Sequence, residues 1–183
     1  CSGSEGTDEA RTQVMAAAYP FAWLAERVAG PDAVVSDLVK PGVEPHDVEL
    51  TPRQVGAVRE ADLVVYLRGF QPAVDDALED GEALDLAVLR DKGGEDPHVW
   101  LDPLRMRAAA IALADRLVEL DPSHAEGYRT RGKQVVAELT ALDAGFRGAL
   151  TRCARTELVT SHAAFGYLAA RYGLEQHGIS GLS

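Results

Sequence analysis

Apolar residues gather in short runs at 14–18, 63–67 and 84–89, the last broken only by Asp85. Runs of this length predict strands buried on both faces, as in parallel sheets. The first strand is expected over 13–18, with others over 33–39, 157–160 and 174–179. Between them the apolar spacing turns helical. Helices are predicted over 21–28, stopped by Gly30-Pro31, and over 52–61, opened by Thr51 as N-cap and Pro52 at the first helical position. Others are predicted over 72–78, 104–120 and 164–172. A long helix over 122–152 carries Tyr128, Val135, Leu139, Leu142, Phe146 and Leu150 at gaps of 7, 4, 3, 4 and 4, one helical face. Some thirty residues make a rod of about 45 Å. Gly127, Gly132, Gly145 and Gly148 lie within it, each weakening the helix by up to ~1 kcal/mol, so packing must hold it.

Strand and helix alternate before the rod and again after it. The fold class is therefore α/β: two lobes with parallel-type sheets and flanking helices, joined by one long backbone helix. Residues 1–10 form a polar tether, 11–121 an N-terminal lobe, 122–152 the connecting helix, and 153–183 the start of a C-terminal lobe. A single βαβ unit cannot cover both faces of a sheet, so the second lobe is expected to be incomplete within this sequence.

Composition narrows the classes of function. The chain of 183 residues carries 18 Lys and Arg against 29 Asp and Glu, a net charge of −11. That excess makes nucleic acid an improbable partner, because phosphate recognition rests on Lys and Arg. The longest apolar run, 14–25, has twelve residues and contains Pro20, short of the roughly 20 needed to span a bilayer. The sequence begins with Cys1 and a small, polar stretch. It resembles a bacterial lipoprotein after removal of its signal peptide, in which the Cys1 thiol carries the lipid; an arbitrary boundary of the sequence is the alternative. Cys153 then lacks a partner within the sequence. It either pairs with a cysteine beyond Ser183 or stays as a buried unpaired thiol, and both remain open.

The candidate chemistry lies in the histidines. His46 and His98 each follow a proline, where nine Pro and five His placed at random predict about 0.25 such pairs. Both sit in connections that follow predicted strands, and His162 lies directly between a strand and a helix. Open α/β sheets bind ligands at the carboxyl ends of their strands. Three neutral imidazoles converging there suit Zn²⁺. The alternative for each is an ordinary loop histidine bonded to backbone. His124 reads as an exposed residue at a helix start, and His177 as structural or as support for a ligand rather than a ligand itself.

Four local sequences carry a resemblance: Pro41-Gly42-Val43-Glu44-Pro45-His46-Asp47, Glu60-Ala61-Asp62-Leu63-Val64-Val65-Tyr66, Asp96-Pro97-His98-Val99-Trp100-Leu101-Asp102-Pro103 and Thr160-Ser161-His162-Ala163-Ala164-Phe165-Gly166-Tyr167. In this order they resemble the zinc-binding substrate-binding lipoproteins of metal ABC importers, from about Gln13 to Ser183. The resemblance implies two α/β lobes joined by one helix, with metal held between them by His46, His98 and His162. It implies a fourth ligand that is water or a carboxylate beyond Ser183. Some members have Glu immediately before the first histidine, where this chain has Pro45, and many zinc members carry a His-rich loop before the second. The corresponding stretch here, Asp91-Lys92-Gly93-Gly94-Glu95-Asp96, has no histidine.

The expected function is capture of extracytoplasmic Zn²⁺, as cargo, by a monomer lipid-anchored to the outer face of the membrane, and its delivery to an ABC permease. No enzymatic activity is expected. Alternatives are the same fold binding manganese or iron, an adhesin or metal chaperone, or a zinc enzyme with a three-histidine site, for which Asp47 and Glu49 are the available acids. His162 favours zinc, since manganese members of the family have Glu there and Mn²⁺ prefers more oxygen ligands.

Overall fold

The computed structural model describes residues 11–39, 42–78 and 81–179. The first sheet is built from β1 (Thr12–Ala16), β2 (Ala33–Asp37), β3 (Leu63–Tyr66) and β4 (Ala83–Asp85). Its order is β2-β1-β3-β4, and every pair is parallel. Helices α1 (Tyr19–Ala29), α2 (Pro52–Glu60) and α3 (Pro72–Ala77) connect these strands.

β3 explains the continuous apolar run. All four of its residues are buried. Leu63 and Val65 point into a core shared with α1 and two later helices, α4 (Pro103–Leu120) and α5 (Ala125–Leu150). Val64 and Tyr66 point into a second core with Val58 of α2 and Val74 and Ala77 of α3. Alternate residues of a strand face opposite ways, so a sheet covered on both sides needs apolar residues at every position. β1 and β3 are the central strands; α1 leads from β1 to the neighbour on one side, while β3 sits on the other. The connections diverge there and open a crevice at the carboxyl end of the sheet.

Helix starts follow the local code. Thr51 and Gln54 form a capping box at α2, with Pro52 in the first turn. Asp102 accepts from the Leu104 amide at the start of α4, ahead of Pro103. Gly30 ends α1 at φ 58°, in the left-handed region that a side chain disfavours.

The last apolar run and the long helix both differ from expectation. The run 84–89 is not one strand: β4 ends at Asp85, and Leu86–Leu89 is a 3-10 turn. The Asp85 carboxylate accepts from the Ala87 amide at 2.9 Å and from the Arg68 amide at 3.1 Å, which bends the backbone away from the ladder. Leu86 stays buried, while Val88 is 82% exposed. The rod is also shorter than expected. A 3-10 turn occupies Pro122–His124, and α5 runs for 26 residues, about 39 Å at 1.5 Å each.

The apolar stripe of α5 is only half used by the first lobe. Tyr128, Gly132, Val135 and Leu139 are buried, packed on α4 and α1. Gly132 permits this closeness, because a Cβ there would lie 2.9 Å from the Ala114 Cβ of α4. Beyond Leu139 the stripe departs from expectation: Leu142 is 48% exposed, and Asp143 is buried instead. The second lobe approaches from that other side. It consists of β5 (Glu157–Thr160), α6 (Gly166–Tyr172) and β6 (Glu175–Gly178), with β5 and β6 paired in parallel. Tyr172 of α6 stacks on Phe146 at 5.2 Å and donates to Asp143 at 3.2 Å. Cys153 is exposed and has no disulfide partner among the described residues, so the buried-thiol expectation does not hold. Cys1 and the rest of the expected tether lie outside the described residues.

Candidate metal centre

Each of the three loop histidines follows a strand: His46 comes after β2, His98 after β4 and His162 after β5. Parallel strands put all their carboxyl ends on one edge, so these loops meet. One ring nitrogen from each of His46, His98 and His162 lies within 4.8 Å of the others, and this trio is a metal-competent group among the described residues. Ring centroids stand 5.2 Å apart for His46 and His98, 5.5 Å for His98 and His162, and 6.3 Å for His46 and His162. Tetrahedral Zn–N bonds of 2.0–2.1 Å would place nitrogens about 3.3 Å apart. The rings therefore need to contract by no more than about 1.5 Å, within the reach of small ring rotations.

His98 is the most enclosed of the three, 7% exposed. Asp96 accepts from its Nδ1 at 2.7 Å and from its backbone amide at 2.9 Å. Burial raises the Asp96 pKa, but the hydrogen bonds from the His98 ring and amide outweigh it and bring the net shift below the ordinary value. An ionised carboxylate only accepts, so Nδ1 is the donor in this contact, which leaves Nε2 as the nitrogen available to a metal. Trp100 packs edge-on against the His98 ring at 5.2 Å.

His46 is half-buried, on a 3-10 turn over Pro45–Asp47. Phe70 meets its ring edge-on at 4.8 Å. Burial lowers the His46 pKa, the neighbouring His98 and His162 lower it further, and Glu44 and Asp47 oppose them. The net effect favours neutral imidazole, the form that binds metal. Gln71 anchors the turn from behind. It is buried, and its Nε2 donates to the carbonyls of Ala17 at 3.0 Å and of Pro45 at 2.9 Å, tying the residue before His46 to the end of β1.

His162 is exposed. Its carbonyl accepts from Thr160 Oγ1 at 2.7 Å, from the Ala164 amide at 3.0 Å and from Gln176 Nε2 at 3.1 Å, so backbone contacts hold the turn while the ring faces the other two. His124 and His177 are exposed and outside the trio. His124 bonds Asp121 at 2.6 Å instead. Sequence reasoning missed Gln71 and Asp96. Asp96 had a local signal, a carboxylate two residues before a histidine; Gln71 had none.

The chain is 30% identical over 206 residues to the high-affinity zinc uptake system protein ZnuA of Bacillus subtilis (strain 168), covering 99% of the chain and 65% of that relative. It is 30% identical over 208 residues to the zinc-binding lipoprotein AdcA of Streptococcus pneumoniae serotype 4, covering 100% of the chain and 41% of the relative. The chain thus spans 41 to 65% of these relatives' length. The crystal structure of Zn(II)-bound AdcA from Streptococcus pneumoniae superposes with a TM-score of 0.85 at 30% identity, over 94% of this chain and 40% of that one. The family model for ZnuA, zinc-uptake complex component A periplasmic, matches residues 14–183, both lobes and the helix between them, and the chain belongs to that family.

Proposed function

We propose that this protein captures Zn²⁺ at His46, His98 and His162 and hands it to the membrane permease of an ABC importer. The observation that carries the proposal is the convergence of three ring nitrogens within 4.8 Å from two lobes. An all-nitrogen trio suits four-coordinate Zn²⁺ better than Mn²⁺, which favours oxygen donors and higher coordination. The fourth position belongs to water or to a carboxylate, either of which completes a tetrahedral Zn²⁺ site. Zinc is cargo here, and the protein does no chemistry on it. Residues 11–121 supply two ligands, 153–183 the third, and 122–152 the connection. The protein works as a monomer outside the cytoplasm, held to the membrane by lipid on Cys1; intact-mass analysis of membrane-derived protein tests this, and an unmodified thiol refutes it.

Zinc affinity measured by chelator competition tests the site. His46→Ala, His98→Ala and His162→Ala should each cost at least the ~10–100-fold that loss of a ligand's supporting partner costs. His124→Ala should bind as wild type; equal weakening there and in His98→Ala overturns the assignment. In cells, deleting the gene under metal limitation should give a growth defect that zinc rescues, and rescue by manganese alone overturns the choice of metal.

A further inference from the structure

The lobes touch through more than the long helix. α6 starts four residues after His162 and lies against the segment between His98 and α4. Tyr167 of α6 donates its hydroxyl to the carbonyl of Asp96 at 3.2 Å, and Asp96 is the residue that orients His98. The Arg105 guanidinium covers the Tyr167 ring at 4.2 Å. In the last turn of α6, Arg171 donates from Nε to both carboxylate oxygens of Asp102 at 3.0 Å and from Nη2 to Oδ2 at 2.5 Å.

The Asp102 side chain is 2% exposed. It also caps α4, and Arg105 Nε stands 3.3 Å from it. A buried, multiply bonded carboxylate differs from a surface pair: it is little screened, and breaking one side leaves an uncompensated charge. Closeness is built in at the other end of α6 too, since a Cβ on Gly166 would lie 2.8 Å from Asp96 Oδ2.

His46 and His98 belong to the first lobe, and each is held by its own neighbours. His162 comes alone from the second lobe, so its place opposite them depends on where that lobe sits. We propose that Arg171, assisted by Tyr167, is a positioning residue for metal capture: it clasps α6 to the Asp96–Asp102 segment and so presents His162 to the other two ligands. This rests on the three-histidine site proposed above. Without the clasp His162 must be brought into place at the cost of lobe freedom, and the apparent affinity falls accordingly.

The test is a cycle of zinc affinities in the full chain by chelator competition. Arg171→Gln should weaken binding about 10-fold, the lower end for a partner that orients a ligand. Tyr167→Phe, which keeps the ring under Arg105 and leaves no charge unpaired, should weaken it by a smaller factor and secures the test if Arg171→Gln does not fold. In a His162→Ala background both substitutions should change affinity by less than about 2-fold, the margin for independent sites, because the ligand they position is gone. Arg171→Lys should restore only part of the loss, since an ammonium lacks the planar fork. Equal losses in both backgrounds overturn the proposal, because a general structural defect does not depend on His162. So do wild-type affinities in both substitutions with zinc binding still dependent on His98. Zinc binding that survives His98→Ala and His162→Ala unchanged overturns the three-histidine site itself.

Discussion

Replacing Gln71 by Leu should damage stability and metal capture together. The Gln71 amide gives both its hydrogens to main-chain carbonyls, Ala17 at the end of β1 and Pro45 next to His46. Leu has similar bulk, so the cavity cost is small and the lost hydrogen bonds dominate. The Ala17 carbonyl is enclosed in the core and is left unpaired, costing about 1–3 kcal/mol. Pro45 is half-buried, so its carbonyl can turn to water and the loss is the net worth of one bond, about 1 kcal/mol. Together they predict destabilisation of about 2–4 kcal/mol, read as a lower urea midpoint with unchanged slope. The turn carrying His46 is then tied less firmly to β1, and zinc affinity should fall by about 10-fold or more, as for other groups that orient ligands. Stability within ~0.5 kcal/mol of wild type, the usual range for a surface change, would refute the account of Gln71 as the anchor of the turn. Full destabilisation with unchanged zinc affinity would show that His46 is placed by Phe70 and its own turn instead.

Two other outcomes follow from the packing and charge of the first lobe. Gly132→Ala puts a methyl 2.9 Å from the Ala114 Cβ and should lower stability by about 1–3 kcal/mol through overpacking, with recovery in the Gly132→Ala, Ala114→Gly double variant; thermal unfolding checks both. Asp121 is raised by burial but lowered more strongly by hydrogen bonds from Ser123, Tyr128 and His124, to about 2 from an ordinary 3.8. A depressed folded-state pKa adds stability above the unfolded value that is lost as pH falls from about 4 towards 2. Asp121→Asn should therefore flatten the stability profile in that window, and an unchanged slope in acid denaturation speaks against it.

Much of this molecule was legible before folding. The unbroken run 63–67 announces a strand covered on both sides, and Thr51-Pro52 and Asp102-Pro103 announce helix starts, because these signals act within a few residues. The loop positions of His46, His98 and His162 at strand ends follow from the same local pattern, and four ordered motifs pointed to the family that the comparisons establish. The tertiary structure decided the rest. Leu142 shares a helical stripe with Leu139 in sequence, yet it faces solvent while Asp143 turns inward to Tyr172 and Arg147. Gln71 meets Pro45 across 26 residues, and Arg171 meets Asp102 across 69. Periodicity records which faces of an element exclude water, but it carries no information about which distant polar group will stand within 3 Å once those faces are joined. Those partners are chosen only when rigid elements pack, and at this centre they hold the ligands that the sequence could name but not assemble.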